Sequence, residues 1–140
     1  MAESSALNAL HSVAGKVVLI TGAVGILGRR FSEAFAANGA SLALVDINEA
    51  EVTRAARDLA GRYGVPAIGI ECDVASPDSV DAMVAATVET LGRVDVLLNN
   101  AATKGKNVRA FFTAFEEFPL DVWREVMSVN IDGMFLVAQR

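Results

Sequence analysis

The chain has 140 residues, of which 53% are hydrophobic and 21% charged. That is enough apolar material to pack one domain and too much for a disordered tail. Its 12 Lys and Arg against 17 Asp and Glu leave a net charge of −5, which gives no overall field for nucleic acid or an anionic membrane surface.

Met1 to Ser12 carries Glu3 and lacks a basic stretch followed by an apolar run, so no signal peptide is expected. No apolar run reaches the ~18 residues of a bilayer span. Cys72 is the one cysteine, which excludes an internal disulfide framework and fits a reducing, cytoplasmic setting. His11 stands alone and no Cys/His cluster has ligand spacing, so no metal site is expected. Residues 1–14 read as an N-terminal arm and 15–140 as one domain.

Four short apolar runs follow in order: 16–21, 41–46, 66–72 and 94–99. Continuous runs of this kind suit strands covered on both faces, hence a parallel sheet. The segments between them read as helices. Leu27, Phe31 and Phe35 recur every fourth residue before a stop at Gly39. Asn48 with Glu51 three residues on is a capping-box start, followed by Val52, Ala55, Ala56, Leu59 and Tyr63, with Gly64 as terminator. Ser76-Pro77-Asp78 opens a third helix, with Val80, Met83, Val84, Val88 and Leu91 inward and Gly92 at its end. A last helix is expected from about Pro119, with Trp123, Met127, Ile131 and Met134 or Phe135 along its inner side. The order β-α-β-α-β-α-β-α makes the fold class α/β, a Rossmann-type doubly wound parallel sheet carried to its fourth strand and the helix after it.

Residues 21–28, Thr-Gly-Ala-Val-Gly-Ile-Leu-Gly, sit where the first strand hands over to the first helix. There Gly22 permits a sharp turn, Gly25 leaves room for a pyrophosphate near the backbone, and Gly28 permits close helix–sheet packing. A ligand-free βα turn is the plainer alternative. Asp46 ends the second strand, 18 residues after Gly28. A carboxylate there accepts both hydroxyls of an adenosine ribose and repels a 2′-phosphate, which favours NAD over NADP; capping the next helix is its other possible task, although Asn48 is better placed for that. Val24, Ile47 and Asn48 supply no cation for such a phosphate. Asp73 and Val74 follow the third strand, where an acid can meet an adenine amino group or simply cap a turn.

Together with Asn99-Asn100-Ala101-Ala102 after the fourth strand, and Asn130 followed by Gly133 and Phe135, these motifs resemble the short-chain dehydrogenase/reductase family from Gly15 to Gln139. The resemblance implies that Gly22, Val24, Gly25, Ile26 and Leu27 line the pyrophosphate and nicotinamide-ribose path, with Gly28 closing the helix onto the turn. It implies that Asp46, with Ile47 beside it, holds the adenosine ribose, and that Asp73 and Val74 touch adenine. Asn100, Ala101 and Ala102 would support the cofactor and the central sheet. Asn130 would be the active-site asparagine, which bends its helix and helps hold a water in a proton relay; as residues alone, a solvent-facing helical Asn is the other option. The implied activity is hydride transfer between NAD and a small carbonyl or secondary alcohol substrate, in a homo-oligomer with strand order 3-2-1-4 at this end of the sheet.

Two departures from the family pattern stand out. The middle glycine is Gly25 rather than residue 26, where Ile26 stands. The family's Tyr-x-x-x-Lys and its Ser, which lie beyond the Asn, have no counterpart here: the sole tyrosine is Tyr63 and residue 67 is Ala. The 140 residues are therefore expected to be the dinucleotide-binding half, inactive alone, with a non-catalytic NAD-binding module or an inactive fragment as the alternative. An open edge at the fourth strand is expected to make the chain marginal without a partner, cofactor or self-association. The loop 103–110, with Lys104, Lys106 and Arg109, reads as a solvated loop, with reception of an anionic substrate as the alternative. Phe111, Phe112, Phe115 and Phe118 read as packing under a loop or a subunit contact.

Overall fold

The computed structural model describes residues 11–140; residues 1–10, most of the expected arm, lie outside the described residues. Strands β1 (Val17–Thr21), β2 (Ser41–Asp46), β3 (Ala67–Glu71) and β4 (Val96–Leu98) alternate with helices α1 (Ile26–Ala37), α2 (Glu49–Tyr63) and α3 (Pro77–Leu91). After β4 come a short α4 (Val108–Phe111), a 3-10 turn (Phe115–Glu117), α5 (Leu120–Met127), a π turn (Ser128–Asp132) and α6 (Gly133–Gln139). The strands form one parallel sheet in the order β3-β2-β1-β4.

The continuous apolar runs are explained by the two layers they separate. Val18, Ile20, Leu42 and Leu44 face α1 and α2 in one core, while Leu19, Ala43 and Val45 face α3 and α6 in the other. Every residue of β1 is buried. At about 1.5–3 kcal/mol for each fully buried aliphatic side chain, this central pair of strands dominates the apolar driving force. Val13, from the expected arm, packs against the first core.

The helix ends follow the expected chemistry. Asn48 and Ser76 accept the N–H of Glu51 and Ser79, and Gly64 and Gly92 close α2 and α3 in the left-handed conformation. The capping box at α2 is only half made. Glu51 pairs with Arg29 instead of reaching back, and Asp46 accepts the Asn48 N–H at 3.2 Å.

Three helix faces differ from expectation. In α1 the residues against the sheet are Gly28, Ser32 and Ala36, while Leu27 and Phe31 are exposed. Close approach demands small residues at the contact, and Ser32 removes its polarity by donating to the Gly28 carbonyl at 2.8 Å. In α3 Val88 is exposed and Thr87 is buried, its hydroxyl bonded to the Met83 carbonyl at 2.9 Å. In the last helical stretch Trp123, Ile131, Met134 and Phe135 face outward, and the buried positions are Val122, Val126, Gly133 and Val137. The expected unbroken helix is instead two α segments joined by the π turn.

Candidate functional site: a cleft at the carboxyl ends of the strands

The carboxyl ends of the strands open into one cleft of about 450 Å³. One side is made by Gly22, Asp46, Ile47, Asp73 and Val74, with Ala101 and Ala102 between β1 and β4. The other side is the loop through Thr103, Gly105 and Lys106, backed by Glu125, Ser128 and Val129. Because β1 is flanked by β2 on one side and β4 on the other, the crossovers diverge there, and side chains leave a crevice above the switch point.

The turn between β1 and α1 is shaped by its glycines. Gly22 has φ +64°, and a Cβ there would stand 2.8 Å from the Ala101 Cα. A Cβ on Gly28 would stand 2.1 Å from the Gly22 carbonyl oxygen, so the helix lies directly on the turn. Gly25 is the N-cap of α1 and carries no side chain where the first helical N–H groups face outward. Ile26 is 89% exposed and does not line the cleft.

Asp46 links this turn to β2. Its Oδ2 accepts the Val24 N–H at 3.1 Å and its Oδ1 accepts the Asn48 N–H at 3.2 Å. Each oxygen keeps acceptor capacity for a further donor. The Val24 carbonyl in turn accepts from Arg29 Nε at 2.7 Å.

Behind the cleft, Thr21 and Asn100 staple β1 to β4. The buried Thr21 hydroxyl accepts the N–H groups of Asn100 and Ala101 at 3.0 and 3.1 Å, and Asn100 Nδ2 donates to the carbonyls of Thr21 and Gly22, both at 3.0 Å. Asp73 forms an Asx turn, its Oδ1 accepting the Ala75 N–H at 3.0 Å. Cys72 beside it is buried, which pushes its thiol above the usual range; Ser79 opposes this and the Asp73 charge adds to it.

Asn130 sits at the centre of the π turn. Its Oδ1 accepts the Thr103 N–H at 2.8 Å and its Nδ2 donates to the Thr103 carbonyl at 3.1 Å. The side chain is thus satisfied within the fold, while the wide turn around it disturbs the regular helical ladder.

Of the expected site residues, Gly22, Asp46, Ile47, Asp73, Val74, Ala101 and Ala102 come together on the cleft. Val24 adjoins it through Asp46, while Gly28 and Asn100 lie behind the turn, and Asn130 behind the facing loop. Gly25, Ile26 and Leu27 form the exposed entrance to α1. The facing side, from Thr103 to Lys106 with Glu125 and Ser128, has no local motif to announce it. Among the described residues no group of His, Cys, Asp and Glu could hold a metal ion, and no helix is long and apolar enough to cross a membrane.

The family model described as short chain dehydrogenase matches residues 16–140. The chain is 36% identical over 125 residues to a D-threitol dehydrogenase of Mycolicibacterium smegmatis, a match covering 89% of this chain and 45% of that one. Among solved structures it is similar to an NAD+-bound xylitol dehydrogenase, with TM-score 0.82 and 32% identity over 91% of this chain and 46% of the other. It is also similar to an L-sorbose reductase of Gluconobacter frateurii complexed with NADPH and L-sorbose, with TM-score 0.81 and 30% identity over 91% and 46% of the two chains. The chain spans slightly under half the length of each of these relatives.

Proposed function

The chain belongs to the short-chain dehydrogenase family, and from that premise we propose that residues 15–140 are the dinucleotide-binding part of an oxidoreductase. The reaction would move a hydride between NAD(H) and a small carbonyl or secondary alcohol. The observation that carries this reading is Asp46. It is a strand-end carboxylate on the cleft, bonded to the glycine turn at Val24, with acceptor capacity left over.

The residues present fit such a cofactor. Gly22, Gly25 and the α1 N-terminus would receive the pyrophosphate. Asp46 and Ile47 would hold the adenosine ribose, and Asp73 and Val74 the adenine. Asn100, Ala101 and Ala102 would support the floor, and Val24, Ile26, Leu27 and Gly28 would shape the turn beneath it. When bound, the nicotinamide supplies or accepts the hydride.

The similar structures include one with NAD+ bound and one with NADPH bound, so the choice rests on this chain's own residues. Asp46 disfavours a 2′-phosphate. The cation of the adjoining helix turn, Arg29, is paired with Glu51. NAD is the cofactor this arrangement favours.

Asn130, in its widened turn, is proposed to bend the helix and to help hold a water of a proton relay. Tyr63 does not supply the relay's acid: it donates to Glu33 on the α1–α2 side at 3.1 Å. The 140 residues alone are therefore expected to bind the dinucleotide without turning over a carbonyl substrate. The outward row of Trp123, Ile131, Met134 and Phe135 favours a homo-oligomer, and the reducing setting implied by a free Cys72 agrees with the cytoplasm.

Calorimetric titration of NAD and NADP into the chain tests this function. NAD is expected to bind more tightly. Binding of neither, or tighter binding of NADP, contradicts it.

A further inference from the structure

The cleft has two walls, and the proposed function accounts for one of them. The other is the backbone of residues 103–106, which belongs to no strand or helix. Amides outside a ladder take other partners, and here side-chain oxygens provide them. Of the three bonds, those of Thr103 and Gly105 are part-buried and that of Lys106 is exposed. The Thr103 N–H goes to Asn130 Oδ1 at 2.8 Å, the Gly105 N–H to Thr103 Oγ1 at 3.0 Å, and the Lys106 N–H to Glu125 Oε1 at 3.0 Å. Gly105 has φ +77°, and a Cβ on it would stand 3.1 Å from Glu125 Oε2. The backbone turns and draws in at the place where this carboxylate meets it.

Glu125 and Asn130 are five residues apart. In a regular α-helix that spacing does not share a face; residues three or four apart do. The π turn at Ser128–Asp132 holds one extra residue in the ladder, and both side chains reach the same loop, Glu125 at Lys106 and Asn130 at Thr103. In the same stretch the Ser128 hydroxyl donates to the Glu125 carbonyl at 2.8 Å, occupying an acceptor in the widened turn.

We propose that Glu125 is a positioning residue. With Asn130 it clasps loop 103–106 at both ends, and it thereby fixes the wall that faces a bound dinucleotide and sets its affinity through that loop. This rests on the dinucleotide reading above.

Three variants test the clasp. Glu125→Gln keeps an acceptor oxygen and removes the charge. Glu125→Ala removes the acceptor. Glu125→Asp withdraws it by one methylene and serves should the Ala variant fail to fold. Amide hydrogen exchange at Gly105 and Lys106 is followed without ligand, and NAD binding by calorimetry, on the same chain. The Ala and Asp variants are expected to exchange faster at these amides and to bind NAD about five- to tenfold more weakly, with Gln within about twofold of the unsubstituted chain. Unchanged exchange in the Ala variant overturns the clasp. Faster exchange with unchanged affinity overturns its link to the cleft. A Gln variant as weak as Ala also overturns it, since charge rather than geometry would then set the affinity. If the unsubstituted chain binds neither NAD nor NADP, the dinucleotide reading fails first and this inference falls with it.

Discussion

Asp46 holds the Val24 N–H at 3.1 Å, so the acid that ends β2 is also the anchor of the turn after β1. Two variants separate its roles. Asp46→Asn keeps one of the two acceptor oxygens and loses the charge; with that oxygen on the Val24 N–H it should keep the turn, give up the bond to the Asn48 N–H, and relax the preference for NAD over NADP. Asp46→Ala should also weaken NAD binding, by about tenfold, since it removes charge-assisted acceptors for the sugar. Calorimetry with both cofactors measures each effect. An Ala variant with unchanged NAD affinity would remove Asp46 from the site.

Gly28→Ala places a Cβ 2.1 Å from the Gly22 carbonyl, against backbone that cannot yield without moving the turn. The expected loss is about 3 kcal/mol or more, on the scale of a severe overpacking event. At Gly25 the same substitution brings its Cβ only to 3.3 Å from that oxygen, so Gly25→Ala should fold. Urea denaturation followed by circular dichroism ranks the two. Equal midpoints would contradict the close packing at Gly28.

Asn130→Ala removes both bonds to the Thr103 backbone. The part-buried N–H and carbonyl of Thr103 lose their partners, at a cost of about 1–3 kcal/mol. Without its clasp the wide turn has less reason to persist. Amide exchange across 126–134 should change its pattern, and the urea midpoint should fall. A midpoint equal to that of the unsubstituted chain would rule out the clasp as a stabilising contact.

Asp95 gives a pH dependence of definite sign. The Val17 N–H donates to its Oδ2 at 2.8 Å, and Arg93 Nε reaches the same oxygen at 2.9 Å. The Val17 bond first, with the Arg93 bond and charge after it, holds the carboxyl below its ordinary value against a smaller opposing effect of burial. The unfolded chain therefore takes up this proton at a higher pH than the folded one. The stability it contributes is complete above the ordinary aspartate value of roughly 4 and is lost as the pH falls through the lower folded value. Asp95→Asn should be the less stable protein at pH 7, with the gap closing below about pH 4. Denaturation series at pH 7, 5 and 3.5 measure it; a constant gap would contradict the linkage.

The alternation of strands and helices is legible in the sequence because both faces of β1 and β2 are covered, which leaves no polar alternation to confuse the period. Asp46 and the glycine turn are legible for a similar reason: their geometry is local, fixed by a strand end and a few residues. The helix faces are less so. At α1 hydropathy marks Leu27, Phe31 and Phe35, but tight approach to the sheet selects Gly28, Ser32 and Ala36. From about Pro119 onward the periodicity predicts one straight helix. One extra residue in the π turn rotates the second half by about 100° relative to the first. Val126 then packs in a small cluster with Val122 and Ala110, while Val137 joins the core under the sheet, although eleven residues of regular helix would align them. Glu125 escapes sequence reasoning for the same reason, and because its partner Lys106 is 19 residues away across aperiodic chain.

The attachment of β4 has a kinetic consequence. Its ladder to β1 registers only Val96, Leu97 and Leu98, and side chains hold it at both ends, Asp95 to Val17 at the start and Asn100 to Thr21 at the finish. These contacts close a loop of 78 residues or more, whereas β1 and β2 meet over a much shorter excursion. The entropy of that closure must be met before three ladder residues and two staples can repay it. The βαβαβ unit of the first three strands should therefore assemble early, with β4 docking last, and since the cleft floor is made where β4 meets β1, the cleft is a late product of folding.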